Sequence, residues 1–116
     1  MCIRDSTSSA SLGAGTTAYS TSNEITNSTG TAYTAGGATL TSVTPTTDST
    51  TAICDFADVS YTSASFTANG ALIYNDTQSD KAVAVIAFGS DKTVTSGTFT
   101  IQFPTADATN AIIRLA

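Results

Sequence analysis

Hydroxyl groups dominate the chemistry available to this chain of 116 residues, because Ser and Thr make up about a third of it. A hydroxyl nucleophile needs a base beside it, and the sequence contains no histidine. A serine–lysine arrangement would need Lys81 or Lys92 deprotonated in an apolar pocket. Both follow an aspartate in turn-like segments, which reads as solvated surface. Paired carboxylates are the other route to acid–base work, and the candidates are Asp55 with Asp58 and Asp76 with Asp80. They flank strands or sit in turns, where Asp serves local hydrogen bonding.

Metal and phosphate chemistry are equally thinly represented. The loop Asn75-Asp76-Thr77-Gln78-Ser79-Asp80 offers oxygen ligands for calcium, but lacks the central Gly and closing Glu of an EF-hand. Gly13-Ala14-Gly15-Thr16-Thr17-Ala18 fits a loose dinucleotide-binding spacing with no strand predicted before it and no helix after it. Asn27-Ser28-Thr29 and Asn75-Asp76-Thr77 match the glycosylation pattern, a match that arises by chance in so Ser/Thr-rich a chain. Cys54 sits in an apolar segment and reads as a free thiol rather than a partner of Cys2. The sequence therefore assigns no catalytic, cofactor-binding or metal-ligating residue, and the expectation is a protein that is not an enzyme. A net charge of −5 argues against partners recognised through a polyanionic backbone or an anionic membrane.

The elements that would position any such residues are strands. No window has a helical stripe, and short apolar runs alternate with turn signals throughout. Residues 7–50 read as a long Ser/Thr/Gly-rich loop region with one or two short strands, the clearest from Ala38 to Val43. Residues 51–116 read as the strand-rich core. Ala52 to Val59 is a strand with Cys54 and Phe56 on one face and Asp55 on the other. Ser65 to Ala68 and Ala71 to Tyr74 are short strands separated by the turn dipeptide Asn69-Gly70. Ala82 to Phe88 is apolar on both faces and suits a central strand covered on two sides. Gly89 to Lys92 and Thr95 to Gly97 read as turns. Thr98 to Phe103 alternates cleanly, with Phe99, Ile101 and Phe103 inward, and Pro104 ends it. Ala111 to Leu115 is the last strand. The fold class expected is all-β, a single antiparallel β-sandwich or barrel-like domain over residues 7–116, with Val83, Val85, Ile86, Phe88, Phe99, Ile101 and Phe103 buried.

Residues 1–6, Met1-Cys2-Ile3-Arg4-Asp5-Ser6, differ in character from the rest of the chain. They hold the only Met and one of the two Cys, and they resemble a hexapeptide produced when sequencing-adapter DNA is translated. On that ground they are expected to lie outside the fold.

Several motifs taken in order carry a family likeness. They are Thr16 to Thr21 with Asn23-Glu24, Tyr33-Thr34-Ala35-Gly36-Gly37, Asp55-Phe56-Ala57-Asp58, Gly70 to Asn75, and Phe88 to Lys92. The ending, Phe99 to Asp107 and then Ile112 to Ala116, completes the set. This succession resembles a family of small structural proteins of tailed bacteriophages, common in environmental and marine phage genomes. The likeness runs from Thr7 onward and rests on the order of the motifs. It implies a β-rich virion component at a decoration, head–tail or tail position, present in repeated copies or as a homo-oligomer among other virion proteins, with no catalytic residues. It also implies an apolar strand ahead of Thr7, where the hexapeptide stands here. The alternative is a carbohydrate-binding or adhesive β-sandwich on a tail fibre or cell surface, for which Tyr19, Tyr33, Tyr61 and Tyr74 are the rings available to stack on glycan.

Overall fold

A computed structural model describes residues 1–26 and 32–115. The protein is all-β, with two antiparallel sheets and no helix among the described residues. The elements are β1 (Cys2–Ser6), β2 (Ala38–Thr39), β3 (Ser42–Asp48), β4 (Thr51–Phe56), β5 (Val59–Asn75), β6 (Lys81–Ile101) and β7 (Ile113–Leu115). One sheet has the order β2-β1-β5-β6, the other β3-β4-β7. The chain divides into two compact units that interleave in sequence, Met1–Thr39 with Tyr61–Phe99, and Leu40–Ser60 with Thr100–Ala116.

In the first unit the hexapeptide that the sequence sets apart is β1, an interior strand. It pairs with β5 from Cys2↔Tyr74 to Ser6↔Gly70 and with β2 at Cys2↔Thr39 and Ile3↔Ala38. Ile3, Arg4, Asp5 and Ser6 are all buried, so both faces of this strand are covered. Strand pairing satisfies backbone groups whatever the side chains are, which is how so polar a segment comes to lie inside a sheet.

β5 is a single strand of 17 residues where two short ones are expected. Asn69-Gly70 makes no turn, because Gly70 serves a different purpose. A Cβ at Gly70 would stand 2.7 Å from the carbonyl oxygen of Ile86, so the glycine permits close approach of two backbones. The polar loop expected over 75–80 is a turn at 76–80, Asn75 closing β5, and β6 runs on through Gly89 to Lys92 and Thr95 to Gly97, which form no turns. Gly89 accommodates that continuation with φ at +77°.

β6 also corrects the expected core. It is the edge of its sheet, not a centre, and Val83 and Val85 are each 38% exposed. Ile86, Phe88, Phe99 and Phe103 are half-buried and Ile101 is buried. With no helix among the described residues to lie over the outer face of this edge strand, its apolar run stays partly open. The core of this unit is instead aromatic. Phe66 lies 4.9 Å from Phe99 and 5.8 Å from Tyr61, and Tyr33 lies 5.5 Å from Tyr61, by ring centroids. Phe99, at the centre of contacts with Tyr61, Phe66 and Phe88, carries a testable consequence. Phe99→Ala should cost about 3 kcal/mol, the low end for an aromatic truncation because the ring is half-buried. Thr100→Ala, on the exposed face, should cost less than about 1 kcal/mol. Urea denaturation midpoints compare the two, and equal losses would mean that the faces are assigned wrongly.

In the second unit, Pro45 lies in β3, an edge strand, where the register against β4 shifts between Val43 and Thr46. Proline lacks the N–H that a regular ladder would use, so an edge irregularity is where it fits. Asp55 alternates with Cys54 and Phe56 along β4 as expected, and its face is covered too: it is 3% exposed, and its Oδ1 accepts the Phe56 amide at 2.8 Å. β4 is the middle strand of its sheet, so both of its faces are candidates for cover. Both cysteines are free thiols.

Candidate functional site: a buried acid–tyrosine cluster

Among the described residues of the first unit, a dense polar grouping forms where residues 19–26 and 33–36 meet β1. Glu24 is held beside β1 by backbone contacts, namely a bridge to Ser6, Ile25 N to Asp5 O at 3.1 Å, and Thr7 N to Asn23 O at 2.9 Å. Its carboxylate then collects three donors. Tyr19 Oη donates to Oε2 at 2.9 Å, Tyr33 Oη to Oε1 at 2.9 Å, and the Gly36 amide to Oε1 at 2.7 Å. Tyr33 in turn accepts the amide of Asp5 at 2.9 Å, and Tyr74 donates to Gly36 O at 2.7 Å. Tyr19 stacks on Tyr74 with ring centroids 4.8 Å apart. A carboxylate that collects three donors fixes a loop firmly.

Asp5 lies next to this knot in a contrasting state. It is fully buried, and neither carboxyl oxygen has a hydrogen-bond partner among the described residues. Burial pushes its pKa from 3.8 to about 7, and the charge of Glu24 adds to the rise. The approach of the Tyr61 hydroxyl and, to a lesser degree, the charge of Arg4 oppose the rise, although the hydroxyl does not complete a hydrogen bond with the carboxyl. Burial also drives the pKa values of Tyr33, Tyr61 and Tyr74 well above the usual phenol range, so all three stay neutral; Tyr33 and Tyr74 donate, while the Tyr61 hydroxyl has no partner among the described residues. Arg4 is 1% exposed and donates from Nη1 to Ser22 O at 3.3 Å, while its Nε is unpartnered among the described residues.

The candidates named from sequence do not converge on this cluster. Asp55 Oδ1 accepts the amide of its neighbour Phe56 while its Oδ2 is buried without a partner among the described residues, and Asp58 Oδ1 accepts the Phe103 amide, 45 residues on, at 2.8 Å. Asp76 is exposed and pairs with the amino group of Met1 at 3.3 Å, which holds its carboxyl below the usual range. Asp80 contributes its carbonyl to Tyr19 N at 2.8 Å instead of joining Asp76. Asn75 Oδ1 accepts from Thr77 N and Oγ1 at 3.2 and 2.8 Å, so its side chain closes the turn. No grouping of three or more metal-ligating side chains occurs among the described residues. Lys81 and Lys92 are exposed. The Gly13 to Ala18 segment lines a cavity of about 530 Å³, but it folds on itself through Thr16 N to Gly13 O at 2.9 Å and Gly13 N to Thr16 Oγ1 at 3.0 Å. The pattern at Asn27-Ser28-Thr29 lies outside the described residues.

Sequence reasoning places Tyr19 and Tyr33 in the loop but misses Glu24, a lone acid among small polar residues. It misses Asp5 by setting β1 aside. The one signal available is that Glu24 lies between two tyrosines at separations of five and nine residues. Comparison with protein-family models, with curated proteins and with solved structures finds no match.

Proposed function

We propose that this chain is a non-enzymatic structural component of a bacteriophage virion, working through contacts with other virion proteins in repeated copies. The ordered succession of motifs from Thr16 to Leu115 carries the reading. The cluster around Glu24 agrees with it, because its polar groups are spent on holding a loop against a sheet and leave no carboxylate–nucleophile pair open to a substrate. The exposed face of β6, with Val83 and Val85 in the open, offers apolar surface of the kind that repeated contacts cover. Position within the particle (decoration, head–tail or tail) follows from the partner it is found against.

A glycan-binding role draws no support from the tyrosines. Tyr33, Tyr61 and Tyr74 are 1%, 8% and 5% exposed, and Tyr19 lies stacked on Tyr74. Rings in these positions anchor a loop; a sugar would need an open face.

Mass spectrometry of purified particles, together with the genes flanking this one on its source DNA, tests the proposal. The expected result is the chain's peptides in the particle fraction at many copies, and portal, capsid or tail genes alongside. Flanking genes of a cellular operon would overturn it.

A further inference from the structure

We infer that the slot between β2 and β5 is a strand-acceptor site, and that an extended apolar segment of another polypeptide fits it better than β1 does. The backbone of the slot is shaped for a strand. Its two walls pair with β1 at seven positions, two on β2 and five on β5. Tyr33 Oη receives the Asp5 amide, and the Ile25 amide reaches the Asp5 carbonyl. Gly37 clears the way, since a Cβ there would stand 1.8 Å from Ile3 O. Every one of these contacts is made to main chain, so none selects the side chains of the occupant.

The side-chain environment does select, and it selects against β1. Ala71, Leu72 and Ile73 opposite are fully buried, and all four residues from Ile3 to Ser6 are enclosed on both faces. Ile3 suits that enclosure. Arg4 and Asp5 do not, because an Nε and both carboxyl oxygens are buried without partners among the described residues. A segment with apolar residues at those two places keeps every bond made by the main chain of β1, gives up the Arg4 Nη1 bond to Ser22 O, and removes two buried charges. A second copy donating its own β1 would bring the same arginine and aspartate, so that exchange gains nothing and the occupant inferred is a segment of a different polypeptide.

The covalent tether gives β1 an effective concentration on the order of millimolar, which a free segment has to outcompete. The 116-residue protein is titrated into fluorescein-labelled peptides of residues 1–8, one carrying Arg4→Leu and Asp5→Val, one unchanged. Fluorescence anisotropy is expected to give a Kd of tens of micromolar for the apolar peptide, and binding roughly tenfold or more weaker for the unchanged one. The chain carrying Arg4→Leu and Asp5→Val, whose own strand is then well seated, should take up the apolar peptide roughly tenfold or more weakly. Equal binding of the two peptides, no binding of the apolar one at about 1 mM, or undiminished uptake by the double variant would overturn the inference.

Discussion

Asp5→Val is expected to stabilise the protein by about 3–4 kcal/mol at pH 8 and by clearly less at pH 4.5. The sign comes from the direction of the shift. The folded protein holds the Asp5 proton more tightly than the unfolded chain does, with a pKa of about 7 against 3.8. Between those values the folded state binds more protons, so stability falls as pH rises from about 4 to about 7 and then levels off. Above pH 7 the full cost of a buried, unpartnered carboxylate is present, and valine removes it. This is opposite to the usual carboxylate, which loses stability on acidification. Asp76 and Asp107 behave in that usual way, being held below their normal range by the Met1 amino group and by the Asn110 side chain respectively. Subtracting the variant's pH profile from that of the unchanged protein isolates Asp5. Urea denaturation midpoints at the two pH values decide it, and a difference independent of pH would show that Asp5 stays ionised, or stays solvated, in the fold.

Gly37→Ala should be the most damaging single methyl group that can be added, costing about 3–6 kcal/mol or preventing folding. Two penalties combine. The residue has φ at +77°, a region L side chains rarely adopt, and the added carbon would meet Ile3 O at 1.8 Å and Arg4 Cα at 2.7 Å. Those are main-chain atoms of β1, so no rotamer change relieves the clash, and the Ile3↔Ala38 pairing has to open. Gly36 supplies the internal control. Its φ is +90°, but the nearest atom to an added Cβ is the Tyr74 hydroxyl at 3.5 Å, so Gly36→Ala should cost only about 1 kcal/mol. Gly13→Ala, with open space around it, should be close to neutral. Thermal unfolding of the three variants ranks them, and a Gly37 variant no worse than the Gly36 variant would sink the account.

What could be read in advance divides along a physical line. The alternation from Thr98 to Phe103 is legible because one face is covered and the other wet, and the structure exposes Thr98, Thr100 and Gln102 while burying Ile101. The polar turn at 76–80 is legible for a related reason: Asx and Ser/Thr side chains satisfy its backbone locally. Asn69-Gly70 misleads because a glycine that permits close backbone approach and a glycine that permits a turn look identical in sequence. Val83 and Val85 mislead because an apolar run has the same composition at a sheet's centre and at its edge. The cluster around Glu24 is the least accessible. It depends on which loop residue lands beside β1, and pairing between segments 18 residues apart leaves no period to detect.

The loop that carries Tyr19 also lies against the start of β6. Ala82 N donates to Thr17 O at 2.9 Å, and Ala18 bridges Lys81. The six residues from Ala82 to Ala87 contain no charge, no proline and no glycine, the composition from which cross-β fibrils are built. Held by the loop, the beginning of that stretch has no free edge on which another molecule's strand could template. The segment 17–19 therefore closes the edge at Lys81 and Ala82, and conditions that loosen it before the sheet itself unfolds are expected to lengthen the open edge available to another strand.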